Sequence, residues 1–112
     1  VDGEIATAEI LWEDRFGNLQ LNLSPEDISG LGESFSLRFG ETVRRIQKVR
    51  TFEEIPNSEI GLIVDSSGLL SLSMYGRSAS EELQLYEGQQ IELTPITNET
   101  SSSSPVTLRK QR

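Results

Sequence analysis

A chain of 112 residues with a formal net charge of −8, no cysteine and no histidine has room for one domain and not for a second. The missing residue types exclude a disulfide scaffold, a thiolate nucleophile, a histidine base and a Cys/His zinc site within these residues. Residues 1–96 carry −10 once the +2 of the last sixteen is set aside, a field that repels nucleic-acid phosphates and anionic membranes.

Hydrophobic residues make up 35% of the chain, and Gly, Ser and Thr are plentiful, which suits a sheet-rich fold with many turns. The chain opens at Val1 in mid-pattern, with a strand starting at Glu4, and reads as a fragment or a processed product. Ala6, Ala8, Ile10 and Trp12 share one parity while Thr7 and Glu9 share the other, the period-2 mark of a half-buried strand. Asp14-Arg15-Phe16-Gly17-Asn18 is a sharp turn, since Gly tolerates positive φ and Asn bonds nearby backbone through its amide. Leu19, Leu21 and Leu23 then alternate with Gln20 and Asn22, which completes a first hairpin.

Ser24-Pro25-Glu26-Asp27 is a helix-start signal, stopped early by Gly30 and Gly32. Phe35, Leu37 and Phe39 alternate with Ser36 and Arg38, and Gly40-Glu41 turns the chain into a strand from Thr42, a second hairpin. From Thr42 to Arg50 the apolar residues Val43, Ile46 and Val49 fall three apart, which predicts a bulge, a bent barrel strand or a one-turn helix. Arg44, Arg45, Lys48 and Arg50 on this stretch read as a solvated face or an intersubunit salt-bridge surface; the alternative, nucleic-acid binding, runs against the net charge. Thr51 to Ser58 has loop composition around an exposed Phe52.

Ile60, Leu62 and Val64 make the next strand, Asp65-Ser66-Ser67-Gly68 a turn, and Leu70, Leu72 and Met74 the strand that follows, a third hairpin. Ser78-Ala79-Ser80-Glu81 has capping-box spacing, with Ala79, Leu83 and Tyr86 at helical intervals and Gly88 as the stop. Ile91 and Leu93 form a last strand closed by Pro95. Residues 97–112 are polar and Ser-rich, and read as a disordered tail. About seven short strands, one short helix and no parallel crossover add up to an all-β fold, an antiparallel barrel or sandwich; closure would hide the edges, and a Greek-key-like β-barrel over residues 1–96 is expected.

Three turns combine small residues with a polar side chain: Phe16-Gly17-Asn18, Asp65 to Gly68, and Tyr75 to Ala79. The second and third bracket one strand from opposite ends. A ligand that touches both must lie along that strand or be shared with another chain.

The stretches "EILWEDRFGNLQLNL" and "GLIVDSSGLLSLSMYGRSASEELQLYEGQQIEL" resemble the C-terminal domain of the S-adenosylmethionine (SAM) hydroxide adenosyltransferases, or SAM hydrolases, the superfamily that includes fluorinating and chlorinating enzymes. The shared pattern is an Asp-x-Phe-Gly-Asn turn, an Asn-Ser-x-Gly turn, and a strand running into a Gly-x-Ser/Asn-Ala segment, in the same order over roughly residues 3 to 95. The resemblance implies that Asn18 hydrogen-bonds the substrate, that Phe16 and Gly17 shape its pocket, and that Ser66 contacts the methionine part, with Ser67 at the variable position. It implies that Gly76, Arg77, Ser78 and Ala79, preceded by Tyr75, read the adenine edge and that Phe52 stacks on the base. Two residues depart from the pattern: Asp65 replaces Asn, and Tyr75 stands where Asn is common. Ser67 also lacks the Arg that assists in halogenating members.

The resemblance further implies an N-terminal α/β domain, absent from this chain, that supplies the catalytic residues. The active site would form between one protomer's N-terminal domain and its neighbour's barrel in a homotrimer. The implied reaction converts SAM and hydroxide to adenosine and methionine in the cytoplasm, with SAM as substrate and no other cofactor, and the barrel alone is expected to be inactive. Halogenation by the same family, or a non-catalytic β-barrel interaction module, are the alternatives.

Overall fold

The computed structural model describes residues 5–96. The stretch 97–112, read above as a disordered tail, and Glu4, where the first strand pattern begins, lie outside the described residues. The strands are β1 (Ala6–Glu13), β2 (Leu19–Leu21), β3 (Ser34–Phe39), β4 (Thr42–Lys48), β5 (Ile60–Val64), β6 (Leu70–Ser73) and β7 (Gln90–Pro95), with one helix, α1 (Ala79–Leu83). They close into a barrel in the order β1-β2-β6-β5-β4-β3-β7. Closure pairs every strand on both sides and leaves no edge.

Alternation decides which face each strand buries. Ile10, Leu19, Leu21, Phe35, Leu37, Leu62, Leu70, Leu72 and Leu93 have no exposed surface and belong to one core cluster inside the barrel. The three expected hairpins form, β1 with β2, β3 with β4 and β5 with β6, all antiparallel. The Ser24 signal yields a 3₁₀ turn over Pro25–Ile28. The Asp27 carboxylate accepts from the Ser24 amide at 2.8 Å, and Ile28 is fully buried in the core cluster.

Three details differ from the sequence reading. First, β4 and β5 pair in parallel, with Ile46 opposite Ile60. The connection 49–59 carries the chain back along the barrel, close to the minimum of about a dozen residues that a parallel return requires. Second, β4 has no bulge: its register with β3 is unbroken from Ser34↔Gln47 to Phe39↔Thr42. The three-residue apolar spacing arose because Val43 points outward and is 59% exposed, while Ile46 alone on this strand is buried. The bulge lies instead in β1, where the register with β2 shifts between Ile10 and Trp12. It turns Trp12 away from the core parity it shares in sequence, leaving it 54% exposed. Third, α1 stops at Gln84, a left-handed C-cap at φ 57°. Gly88 serves a later turn, and Tyr86 is exposed rather than on a helical face.

Replacing the fully buried Phe35 with Ala is expected to cost about 3–5 kcal/mol, whereas Val43→Ala should stay within about 0.5 kcal/mol. Urea denaturation of both variants checks this. A large loss at Val43 would mean that the strand is bent as the sequence spacing predicted.

Candidate functional site

The β1–β2 and β5–β6 hairpins are closed by the same device. In the first, the Asp14 amide donates to the Asn18 carbonyl at 3.0 Å and the Gly17 amide to the Asp14 carbonyl at 3.0 Å. The Asp14 carboxylate accepts from the amides of Phe16 (2.9 Å) and Asn18 (3.0 Å) through one oxygen, and from Asn18 Nδ2 (2.9 Å) through the other. In the second, the Asp65 amide donates to the Leu69 carbonyl at 2.7 Å and its carbonyl accepts from the Gly68 amide at 3.0 Å. The Asp65 carboxylate takes the amides of Ser67 (2.8 Å) and Leu69 (3.1 Å). An Asp at the start fixes the turn through its side chain, and Gly17 (φ 86°) and Gly68 (φ 84°) supply the left-handed residue before the second strand.

The two glycines differ in what surrounds them. A Cβ at Gly68 would meet nothing within 4 Å, whereas at Gly17 it would overlap the Ser78 side chain and approach the Ser78 Cα to 2.8 Å. Ser78 is the N-cap of α1, its Oγ accepting from the Glu81 amide at 3.1 Å. The Ser80 amide donates to the Gly17 carbonyl at 2.9 Å. The first turn is thus seated directly on the start of the helix, which brings Phe16 and Asn18 beside Tyr75 to Ser78.

Between these elements runs a groove on the outside of the barrel. Its wider part, about 730 Å³, is lined by Asp14, Phe16, Asn18, Phe52, Met74, Tyr75, Gly76, Arg77 and Ser78. Its narrower part, about 300 Å³, is lined by Trp12, Asp14, Asn18, Gln20, Phe52, Ile63, Val64, Asp65, Ser66, Ser67, Ser71 and Ser73. Asp14, Asn18 and Phe52 line both parts, so the two adjoin near the end of β6. Phe52 stands on a 3₁₀ turn, Phe52–Glu54, in the 49–59 connection. That connection is pinned by Ile55, which is 3% exposed and packs where a side chain at Gly61 would collide with it, at 2.6 Å from its Cγ1.

The narrow part is acidic, and none of its lining residues is basic. Burial alone would raise the Asp65 carboxyl, but hydrogen bonds from Gln20, the Leu69 and Ser67 amides and Ser71 outweigh it and hold the group below its ordinary value. Gln20 Nε2 donates at 2.8 Å and Ser71 Oγ at 3.1 Å, so all of Asp65's acceptor capacity is spent on holding β2, β6 and the turn together. Asn18 keeps its Oδ1 without a side-chain partner among the described residues, its Nδ2 alone being engaged by Asp14. Arg77 at the other end is paired with Glu82 at 3.0 Å, and Glu82 also meets Arg44 at 3.4 Å.

Of the residues singled out in the sequence, Phe16, Asn18, Phe52, Ser66, Ser67, Tyr75, Gly76, Arg77 and Ser78 all line the groove. Gly17 lies behind the wall as the contact to Ser78, and Ala79 is fully buried in the core cluster rather than facing the groove. Sequence reasoning missed Trp12, Gln20, Ile63, Ser71 and Ser73. The polar parity of β2 and β6 marked Gln20, Ser71 and Ser73 as outward-facing; nothing in their pattern marked them as a floor.

The chain is thus a closed barrel with hollows on its outer face, walled by two hairpin turns and a helix N-cap. The chain matches the family model described as the SAM hydroxide adenosyltransferase C-terminal domain over residues 8–92 and belongs to that family. It is 32% identical over 88 residues to the (R)-S-adenosyl-L-methionine hydrolases of Salinispora arenicola and Salinispora tropica, covering 79% of this chain and 32% of each relative. The chain therefore spans about a third of the length of these relatives. A crystal structure of an uncharacterized conserved protein from Thermotoga maritima shares the fold (TM-score 0.73, 24% identity, 78% of this chain and 35% of that one). So does a conserved hypothetical protein from Thermus thermophilus (TM-score 0.59, 31% identity, 78% and 34%). No helix among the described residues is long and apolar enough to cross a membrane.

Gly17→Ala is expected to lower the thermal midpoint well beyond Gly68→Ala. Both pay about 1–2 kcal/mol for the left-handed backbone, and only the first must also push Ser78 aside; equal losses would show that the seat on α1 carries no energy. Asp65 sets a pH dependence. Its folded pKa lies below the unfolded value, so its stabilisation is complete above about pH 4 and is lost as pH falls through the lowered folded value. Thermal midpoints taken from about pH 7 down to about pH 2.5 should fall more steeply for the wild type than for Asp65→Asn once the carboxyl titrates, and parallel curves would refute this.

Proposed function

We propose that this barrel is the substrate-binding part of a SAM hydrolase-like enzyme that converts SAM and water to adenosine and methionine. The observation that carries the reading is the placing of the turns: the three singled out by the resemblance line two adjoining hollows on one face of the barrel. Its wide end offers Phe16, Phe52, Met74 and Tyr75 as apolar surface for an adenine ring. Asn18 lines both hollows, and its amide oxygen has no side-chain partner among the described residues, which suits a polar base edge or ribose. The narrow end presents the hydroxyls of Ser66 and Ser67 to the methionine part, in an acidic field that favours a cationic sulfonium ligand.

The barrel's contribution to the reaction is positional. It holds the adenosine moiety so that a hydroxide delivered from elsewhere attacks the ribose carbon in line with the sulfonium leaving group. The nucleophile-handling residues belong to an N-terminal α/β domain outside this chain, and the complete site forms between protomers of a homotrimer in the cytoplasm. Metal and organic cofactors play no part in this scheme.

Two measurements test the reading. Adenosine titrated into the chain should bind, and Asn18→Ala should weaken that binding roughly 3–10-fold, the value of one hydrogen bond; an unchanged affinity would favour a structural turn in a non-catalytic interaction module. Incubated with SAM, the chain alone should release no adenosine above the uncatalysed background. Turnover at an enzyme's rate would sink the division of labour between the two domains.

A further inference from the structure

Ser73, at the end of β6, has a side chain with no exposed surface, and its Oγ has no hydrogen-bond partner, the one buried side-chain polar atom so left among the described residues. Ser71, on the same face two residues earlier, donates to Asp65 at 3.1 Å. The neighbours of Ser73 explain the difference. Its partner across the ladder is Gly61, which has no side chain, and the space over Gly61 is filled by the aliphatic atoms of Ile55 and Val49. A buried hydroxyl without a partner destabilises the fold, so a strand selected only for packing would carry alanine here.

Ser73 forms part of the floor of the narrow hollow together with Asn18, Phe52 and Ser71. Along β6 it lies about 7 Å beyond Ser71, which places it between the polar end at Ser66 and Ser67 and the aromatic end at Phe16 and Tyr75. We infer that Ser73 is a ligand contact, its hydroxyl hydrogen-bonding a ribose hydroxyl of the bound nucleoside. The inference rests on the nucleoside reading above: with the base against the aromatic end and the amino acid over Ser66, the sugar lies over Ser73. The hydroxyl is then satisfied in the complex and unsatisfied without it, so its cost to the free fold is recovered on binding.

The test is an amide chemical-shift titration of the full chain with adenosine, 2′-deoxyadenosine and 3′-deoxyadenosine, on the wild type, Ser73→Ala and Asn18→Ala, alongside thermal midpoints. Ser73→Ala should raise the midpoint of the free protein and weaken adenosine roughly 3–10-fold, while one of the two deoxynucleosides binds wild type and Ser73→Ala equally. Opposite signs in stability and affinity are what a purely structural serine would not give. Adenosine binding unchanged in Ser73→Ala but weakened in Asn18→Ala would overturn this inference and leave the nucleoside reading standing. Equal losses for all three nucleosides would overturn the ribose assignment. A wild type that titrates with none of them would overturn the nucleoside reading and this inference with it.

Discussion

The contact on which the groove depends is the close approach of Gly17 to Ser78. The turn between β1 and β2 meets the helix through this glycine, whose missing Cβ lets the backbone come against the Ser78 side chain and whose carbonyl receives the Ser80 amide. Ser78 at the same time caps α1. One position therefore sets the angle of the hairpin, the start of the helix and the distance between the two walls of the cleft. The wall residues themselves, Phe16 and Tyr75, are largely exposed and could not fix that distance by packing.

The floor obeys a different constraint. An antiparallel barrel ordinarily presents polar residues of alternate parity to solvent. Here the outward parity of β6 is buried because the 49–59 connection, returning to make the parallel β4–β5 pair, lies across it. Gly61 provides the notch that lets Ile55 sit flush and so carries Phe52 to the edge of the cleft. The proposed binding surface is thus assembled from outward-facing strand residues and a covering loop, while the barrel interior is packed with apolar side chains and has no part in it.

This division explains what could be read from the sequence. Most strands announced themselves, because Leu19-Gln20-Leu21, Phe35-Ser36-Leu37 and Leu70-Ser71-Leu72 alternate cleanly and their apolar members all reach the core. The turns were legible for a local reason too: Asp at the first position and Gly at the fourth encode their geometry within five residues. What stayed hidden leaves no mark in the pattern of residue types. The register slip that turns Trp12 outward is a property of the β1–β2 pair and leaves no mark on either strand. The parallel pairing is settled by where residues 49–59 can lie, and the left-handed cap at Gln84 replaces the glycine that helix rules lead one to seek. Nine of the eleven residues marked for the cleft line it, because they belong to turns, and its floor was missed because Ser71 and Ser73 look like any solvent-facing serines.

The pairing of β1 with β7 has a kinetic consequence. The three hairpins can form from neighbours in the chain, but Ala6 must find Leu93 and Leu19 must find Leu72 before the barrel closes. Both closures pay the entropy of ordering long intervening loops, which puts this domain among the slow, non-local folders. Until both form, the strands of the missing pair, β1 and β7 or β2 and β6, each keep an unpaired edge, so a nascent or partly unfolded chain passes through an open sheet that can pair with a second copy of itself. The same seam that abolishes edges in the finished barrel is the point at which its assembly is most exposed to error.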